Sequence, residues 1–143
     1  VVDRFIKIIN PKKIYMGEKD MQQLKIIEDF VKRNYPKIKV VNCKTIRENS
    51  GVAYSSRNVL LLSNEKKIAI NVYKFLSSNK KKIIDKSIPL YLVKKIILSF
   101  NIRKIDYLKI YDINNLINKK KENKKKRIFI AYYLGNTRLI DNI

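Results

Sequence analysis

Apolar side chains recur along this chain at two spacings, and the switches between them mark out its elements. Val2, Phe5, Ile6 and Ile9 follow a helical period, which Pro11 stops. Ile14 to Met16 then reads as a short buried strand that delivers Gly17 at its C-terminal end. From Asp20 onward, Met21, Leu24, Ile27, Val31 and Tyr35 return every three or four residues, which predicts an amphipathic helix of about four turns. Asp20 stands where an N-cap is expected, and Pro36 marks the end. Ile38 to Val41 forms the next strand. Strand, helix and strand on short connections predict a βαβ unit of a parallel sheet. Residues 42–58 are then the loop after the second strand, with Gly51 giving it freedom to turn.

Beyond Leu62 the pattern changes. Ser63 is placed to cap a helix with Ile68, Ala69, Val72, Phe75 and Leu76 on one face. Residues 77–82 read as a polar linker. Pro89 opens another helix, which carries Leu92, Val93, Ile96, Ile97 and Phe100. Tyr107 to Tyr111 alternates, Ile128 to Leu134 is a β-rich apolar run, and Arg138 to Ile140 follows a Gly135-Asn136 turn as a third short strand. Helices followed by antiparallel strands predict a separate α+β unit. The expected division is 1–62 and 63–143.

Composition changes this picture little. With 143 residues and 45% apolar content, the chain can bury a core in one domain or in two small ones. No apolar stretch reaches the ~20 residues that span a bilayer, and no signal-peptide pattern opens the chain. These features are those expected of a cytoplasmic protein. The single cysteine, Cys43, excludes an internal disulfide framework and a cysteine-rich zinc site, and is expected to pack as a small apolar side chain at a strand end. The net charge of +21 points first to nucleic acid. However, Lys, Ile and Asn make up 65 of 143 residues, all encoded by A/T-rich codons, and only seven of the 33 basic residues are arginine. The lysines are therefore read as a solvated surface, with a basic nucleic-acid-binding module as the alternative. Residues 118–127 read as an exposed lysine-rich connection, alternatively a polyanion tether.

Two clusters carry candidate chemistry. Gly17-Glu18-Lys19-Asp20 follows the first strand of the βαβ unit, and Ser55-Ser56-Arg57-Asn58 lies in the loop after the second. In a parallel α/β layout both would stand at the C-terminal ends of neighbouring strands, where such sheets bind ligands. Serine hydroxyls and backbone N–H groups can hold a phosphate, and Lys19 and Arg57 can neutralise it. That combination suits chemistry at an ATP phosphate.

The residues around these clusters resemble those of a known family. Tyr15-Met16-Gly17-Glu18-Lys19-Asp20-Met21-Gln22-Gln23-Leu24 is similar to the Tyr-x-Gly-x-Lys-Asp-x-Gln-Gln-Leu block of the pantoate–β-alanine ligases, or pantothenate synthetases. The stretch from Thr45 to Asn58 resembles that family's Arg-x-x-x-Gly-Leu-Ala-x-Ser-Ser-Arg-Asn segment. Leu134 to Asn142 resembles its closing Leu-Gly-x-x-Arg-Leu-Ile-Asp-Asn. The resemblance covers the whole chain but only the second half of the family's usual length. It implies an α/β fold, in which the C-terminal part of a Rossmann-like nucleotide-binding domain is followed by a small α+β domain with an antiparallel sheet. It also implies a homodimer, and ATP with Mg2+, pantoate and β-alanine as the molecules handled.

The implied reaction joins pantoate to β-alanine through a pantoyl-adenylate. On the resemblance, Lys19 binds phosphate and stabilises charge in adenylation, with a surface lysine as the alternative. Gly17 lets the ribose approach, Glu18 lies within the same block, and Asp20 accepts from a ribose hydroxyl, caps the helix, or does both. Gln23 contacts pantoate or is solvated. Ser55, Ser56 and Arg57 wrap the triphosphate, while Asn58 fixes the loop. Ile46 and Tyr54 lie near adenine or pack in the core. Lys44, Ser50 and Tyr54 depart from the family's proline, aspartate and aliphatic residue. The chain contains no histidine, whereas the family's Met-Gly-x-Leu-His-x-Gly-His motif lies in its first half. The expectation is therefore half a site, inactive in isolation. A decayed, inactive fragment is the remaining alternative.

Overall fold

The computed structural model describes residues 1–113 and 125–143. Of the lysine-rich stretch 118–127, residues 118–124 lie outside the described ones, and Lys126 and Arg127 begin a strand. The chain divides into two compact units, Val1–Lys44 and Thr45–Ile143.

The first unit runs α1 (Val2–Ile9), β1 (Lys13–Gly17), a 3-10 turn at Glu18–Asp20, α2 (Met21–Asn34) and β2 (Lys39–Cys43). β1 and β2 pair in parallel, in register from Lys13 opposite Lys39 to Gly17 opposite Cys43. The βαβ expectation holds. Asn10 ends α1 in left-handed backbone, φ 48°, and its N–H donates to the Ile6 carbonyl at 2.8 Å, before Pro11 forbids continuation. The apolar stripe of α2 buries Met21, Leu24, Ile27 and Val31. Ile6, Ile27 and Val31 form a small core, on which Ile14, Met16 and Val40 pack. The Tyr35 hydroxyl donates to Asp3 at 2.6 Å, linking the end of α2 to α1. β1 is not the buried strand expected. Its residues alternate, with Ile14 and Met16 half-buried and Tyr15 65% exposed. Val2, Phe5, Ile9, Ile14, Met16 and Ile27 line an apolar groove of about 380 Å³.

The second unit begins with the loop 45–62 and continues through α3 (Ser63–Ser78), α4 (Lys80–Ile84) and α5 (Leu90–Leu98). It closes with β3 (Lys104–Asp112), β4 (Lys126–Leu134) and β5 (Thr137–Asn142), paired antiparallel in the order β3-β4-β5. β4 is central, and Ile128 to Tyr132 are all buried. Its Ile128, Ile130, Tyr132 and Leu134 join Ile68, Val72, Leu76, Ile83, Val93 and Ile97 in one apolar core. Residues 77–82 are not a linker, because α3 extends to Ser78 and α4 starts at Lys80 and buries Ile83. Ser63 is the first helical residue, and the helix start is held by Glu65, which accepts from the Leu62 N–H at 2.8 Å. Residues 45–62 pack within this unit. The tie is long-range, since Arg47 pairs with Asp141 at 2.7 Å. No helix among the described residues is long and apolar enough to cross a membrane.

Candidate active site

The first unit places Gly17 at the C-terminal end of β1, level with Cys43 on β2. Ligands of parallel sheets gather at this end. Gly17 has ordinary extended backbone, φ −72° and ψ 133°, and a Cβ added there would meet no atom within 4 Å. Its own unit gives no reason for a glycine. The Glu18–Asp20 turn carries the half-buried Glu18 and Lys19 and the exposed Asp20 into α2. Asp20 occupies the N-cap position, but its side chain makes no capping hydrogen bond. Gln22 and Gln23 are both exposed on the first turn of α2. Neighbouring helical residues diverge by about 100°, so the two face different directions. Cys43 corrects an expectation: it is exposed, at the strand end where the pleat turns it outward from the apolar core.

The second unit places Ser55, Ser56, Arg57 and Asn58 at the start of a 3-10 turn spanning Ser56–Leu60. The Ser55 hydroxyl accepts from the Arg57 N–H at 3.3 Å, and its carbonyl from the Asn58 N–H at 3.0 Å. Ser56 and Arg57 are exposed. The Arg57 guanidinium makes a long contact, 3.5 Å to the Arg138 carbonyl. Asn58 behaves as the loop-fixing residue expected, because its side-chain amide donates to Glu48 Oε1 at 3.0 Å and to the Ala53 carbonyl at 3.1 Å. Ile46 and Tyr54 are 73% and 60% exposed, which removes core packing as their role. The Tyr54 N–H donates to the Ile46 carbonyl at 3.0 Å, and Arg47 bridges Ala53, so 46–54 folds back on itself as a tight loop. Ser50 sits in its turn, donating to Glu48 Oε2 at 3.3 Å.

Arg47 is the residue that sequence reasoning passed over. Its guanidinium grips Asp141 with two bonds of 2.7 and 2.9 Å, and reaches the carbonyls of Gly51 and Asn142 at 3.1 Å each. It also lies 4.7 Å from the centre of the Tyr73 ring. Desolvation works against charge on Arg47, but the hydrogen bonds and field of Asp141 outweigh it and hold its pKa above the ordinary value. A signal was available, since Arg47 and Asp141 each stand in one of the two family-like blocks of this unit. Nothing in the local spacing says that the blocks meet.

Among the described residues no group of three or more His, Cys, Asp or Glu side chains could hold a metal ion. A Mg2+ ion fits here only as a companion of nucleotide phosphates, the usual way that Mg2+ is carried.

A model of the Pantoate-beta-alanine ligase family matches residues 1–143. The chain belongs to this family. Pantothenate synthetase of Clostridioides difficile (strain 630) is 38% identical over 146 residues, covering 99% of the chain and 52% of that protein. That of Clostridium botulinum (strain Loch Maree / Type A3) is 40% identical over 147 residues, again covering 52% of the relative. The chain thus spans about half the length of the curated relatives it matches. Among solved structures, pantothenate synthetase from Thermus thermophilus superposes with a TM-score of 0.83 at 28% identity, over 99% of this chain and 52% of that one. A pantoate–β-alanine ligase from Francisella tularensis, complexed with β-γ ATP and β-alanine, has a TM-score of 0.75 at 32% identity, over 99% of this chain and 47% of that one.

Proposed function

We propose that this chain supplies the C-terminal half of an ATP-dependent ligase that condenses pantoate with β-alanine. In the first step a pantoate carboxylate oxygen attacks the α-phosphorus of ATP, and pyrophosphate leaves. In the second, the β-alanine amine attacks the acyl carbon of the pantoyl-adenylate and AMP leaves. Residues 1–62 complete a Rossmann-like nucleotide-binding domain, with the 45–62 loop packed on the smaller domain formed by 63–143. Lys19 and Arg57 each bring a cation to the phosphates, where negative charge shifts as the bond to pyrophosphate breaks. Ser55 and Ser56 donate to phosphate oxygens, and Gly17, Glu18 and Asp20 line the ribose side. Ile46 and Tyr54 border adenine, and Gln23 orients pantoate through an amide that donates and accepts at once. Mg2+ held on the phosphates adds charge neutralisation. The working enzyme is a cytoplasmic homodimer.

The observation that carries this reading is Gly17. The fold leaves open space where its side chain would stand, at the ligand end of a parallel strand and two residues from Lys19. A glycine without a structural reason, at that position, is a place for another molecule to come close.

The test supplies the chain with a polypeptide covering the half of the relatives that it does not span, together with pantoate, β-alanine and ATP. Pantothenate, AMP and pyrophosphate are expected in equal amounts. Formation of ADP in step with product would refute the adenylate route.

A further inference from the structure

Arg47, Asp141 and the loop between Arg47 and Asn58 form one connected device. The guanidinium meets four acceptors: both carboxylate oxygens of Asp141 and the carbonyls of Gly51 and Asn142. The Asp141 carboxylate also accepts from the Asn142 N–H at 2.8 Å. The Arg47 and Asp141 side chains are 21% and 14% exposed, so solvent competes weakly for them. An arginine with both terminal nitrogens committed in this way is not a free phosphate ligand, although it stands in the same sequence block as Arg57. It acts on its own loop. The Gly51 carbonyl and the Arg47–Ala53 bridge fix the loop's shape. The Glu48 N–H donates to the Val52 carbonyl at 2.9 Å, and the Glu48 side chain and Ala53 carbonyl then hold the Asn58 amide. Ser55 and Arg57 sit between those anchors.

We propose that Arg47 and Asp141 are positioning residues: their bidentate pair docks the 47–58 loop on the end of β5 and so presents Ser55, Ser56 and Arg57 to the nucleotide phosphates. The last part of this statement rests on the function proposed above. The docking itself does not.

Hydrogen–deuterium exchange on the 143-residue chain separates the two. In Arg47→Lys and Asp141→Asn, the amides of residues 48–58 should exchange about 10- to 100-fold faster than in the wild type. Amides at the centre of β4 should keep their wild-type rates. Lysine preserves the charge but not the fork, so loss with Arg47→Lys identifies bidentate geometry as the agent. Arg57→Ala is the control and should leave exchange over 48–54 unchanged. Unaltered exchange over 48–58 in both clamp variants would overturn the proposal. So would equal acceleration in β4, which would make the pair a support of the whole unit. With the polypeptide covering the other half of the relatives present, added ATP should slow exchange at 55–58 in the wild type. Its failure to do so would remove the nucleotide reading, while the variant rates still decide the docking.

Discussion

At Gly51, φ is +91° and a Cβ would lie 2.0 Å from an atom of the Tyr73 ring. Gly51→Ala must adopt left-handed backbone and displace an aromatic side chain that also stacks on Arg47. A loss of about 2–4 kcal/mol in denaturant unfolding is expected. Gly17 offers the opposite case. Its backbone suits any residue and its Cβ position is open, so Gly17→Ala should leave stability unchanged or raise it by up to about 1 kcal/mol. The same substitution should raise the KM for ATP in the reconstituted enzyme. An unchanged KM would return Gly17 to the ordinary residues of β1. Lys19→Ala should lower the single-turnover rate of adenylation by about 10²–10³. Gln23→Ala should instead raise the KM for pantoate, by a factor equivalent to about 1–3 kcal/mol, and leave that for ATP nearly intact. Equal losses for both substrates would point to a disturbed α2.

Between elements, the contact that joins α1 to the end of α2 depends on pH. Lys7, and then the Tyr35 hydroxyl, hold the Asp3 carboxylate below its usual range by hydrogen bonding. A lowered folded-state pKa means that this contribution is present above the unfolded value, about 3.9, and is lost as the pH falls through the folded one. Tyr35→Phe removes one donor, so the Asp3 pKa followed by NMR should move up toward the ordinary value. An unmoved pKa would leave the lowering to Lys7 and the N-terminal charge. The elements themselves were largely legible. The βαβ unit and the three closing strands follow from spacing, because a period of two or of 3.6 survives over several residues. The element α4 was hidden, since one turn of Lys-Lys-Lys-Ile-Ile has too few residues to show a period. The depth of β1 was misjudged for the same reason. At the site, the resemblance to the family pointed to Asn58 as a loop-fixing residue, and its bonds to Glu48 and Ala53 agree, while spacing alone singled out the two clusters as candidates. Neither could find the partnership of Arg47 with Asp141, 94 positions apart in the chain, which only the packed fold brings about.

For the whole molecule, half the relatives' length and the absence of histidine set the expected behaviour in assay. The purified chain should show no ligation above a no-enzyme control, and the polypeptide supplying the other half should restore it. Turnover by the chain alone would mean that its own residues suffice. The parallel pair of β1 and β2 bears on how such a chain survives in solution. Among the described residues it is a ribbon of two strands, and its outer edges offer rows of hydrogen-bonding groups that another copy could match. Exposed Lys12, Lys13 and Lys39 crowd the start of both strands, and the chain as a whole carries +21. That charge should oppose pairing between copies of the chain. At about 0.1 M salt that repulsion reaches only ~10 Å, so light scattering from the chain should show more self-association as ionic strength rises.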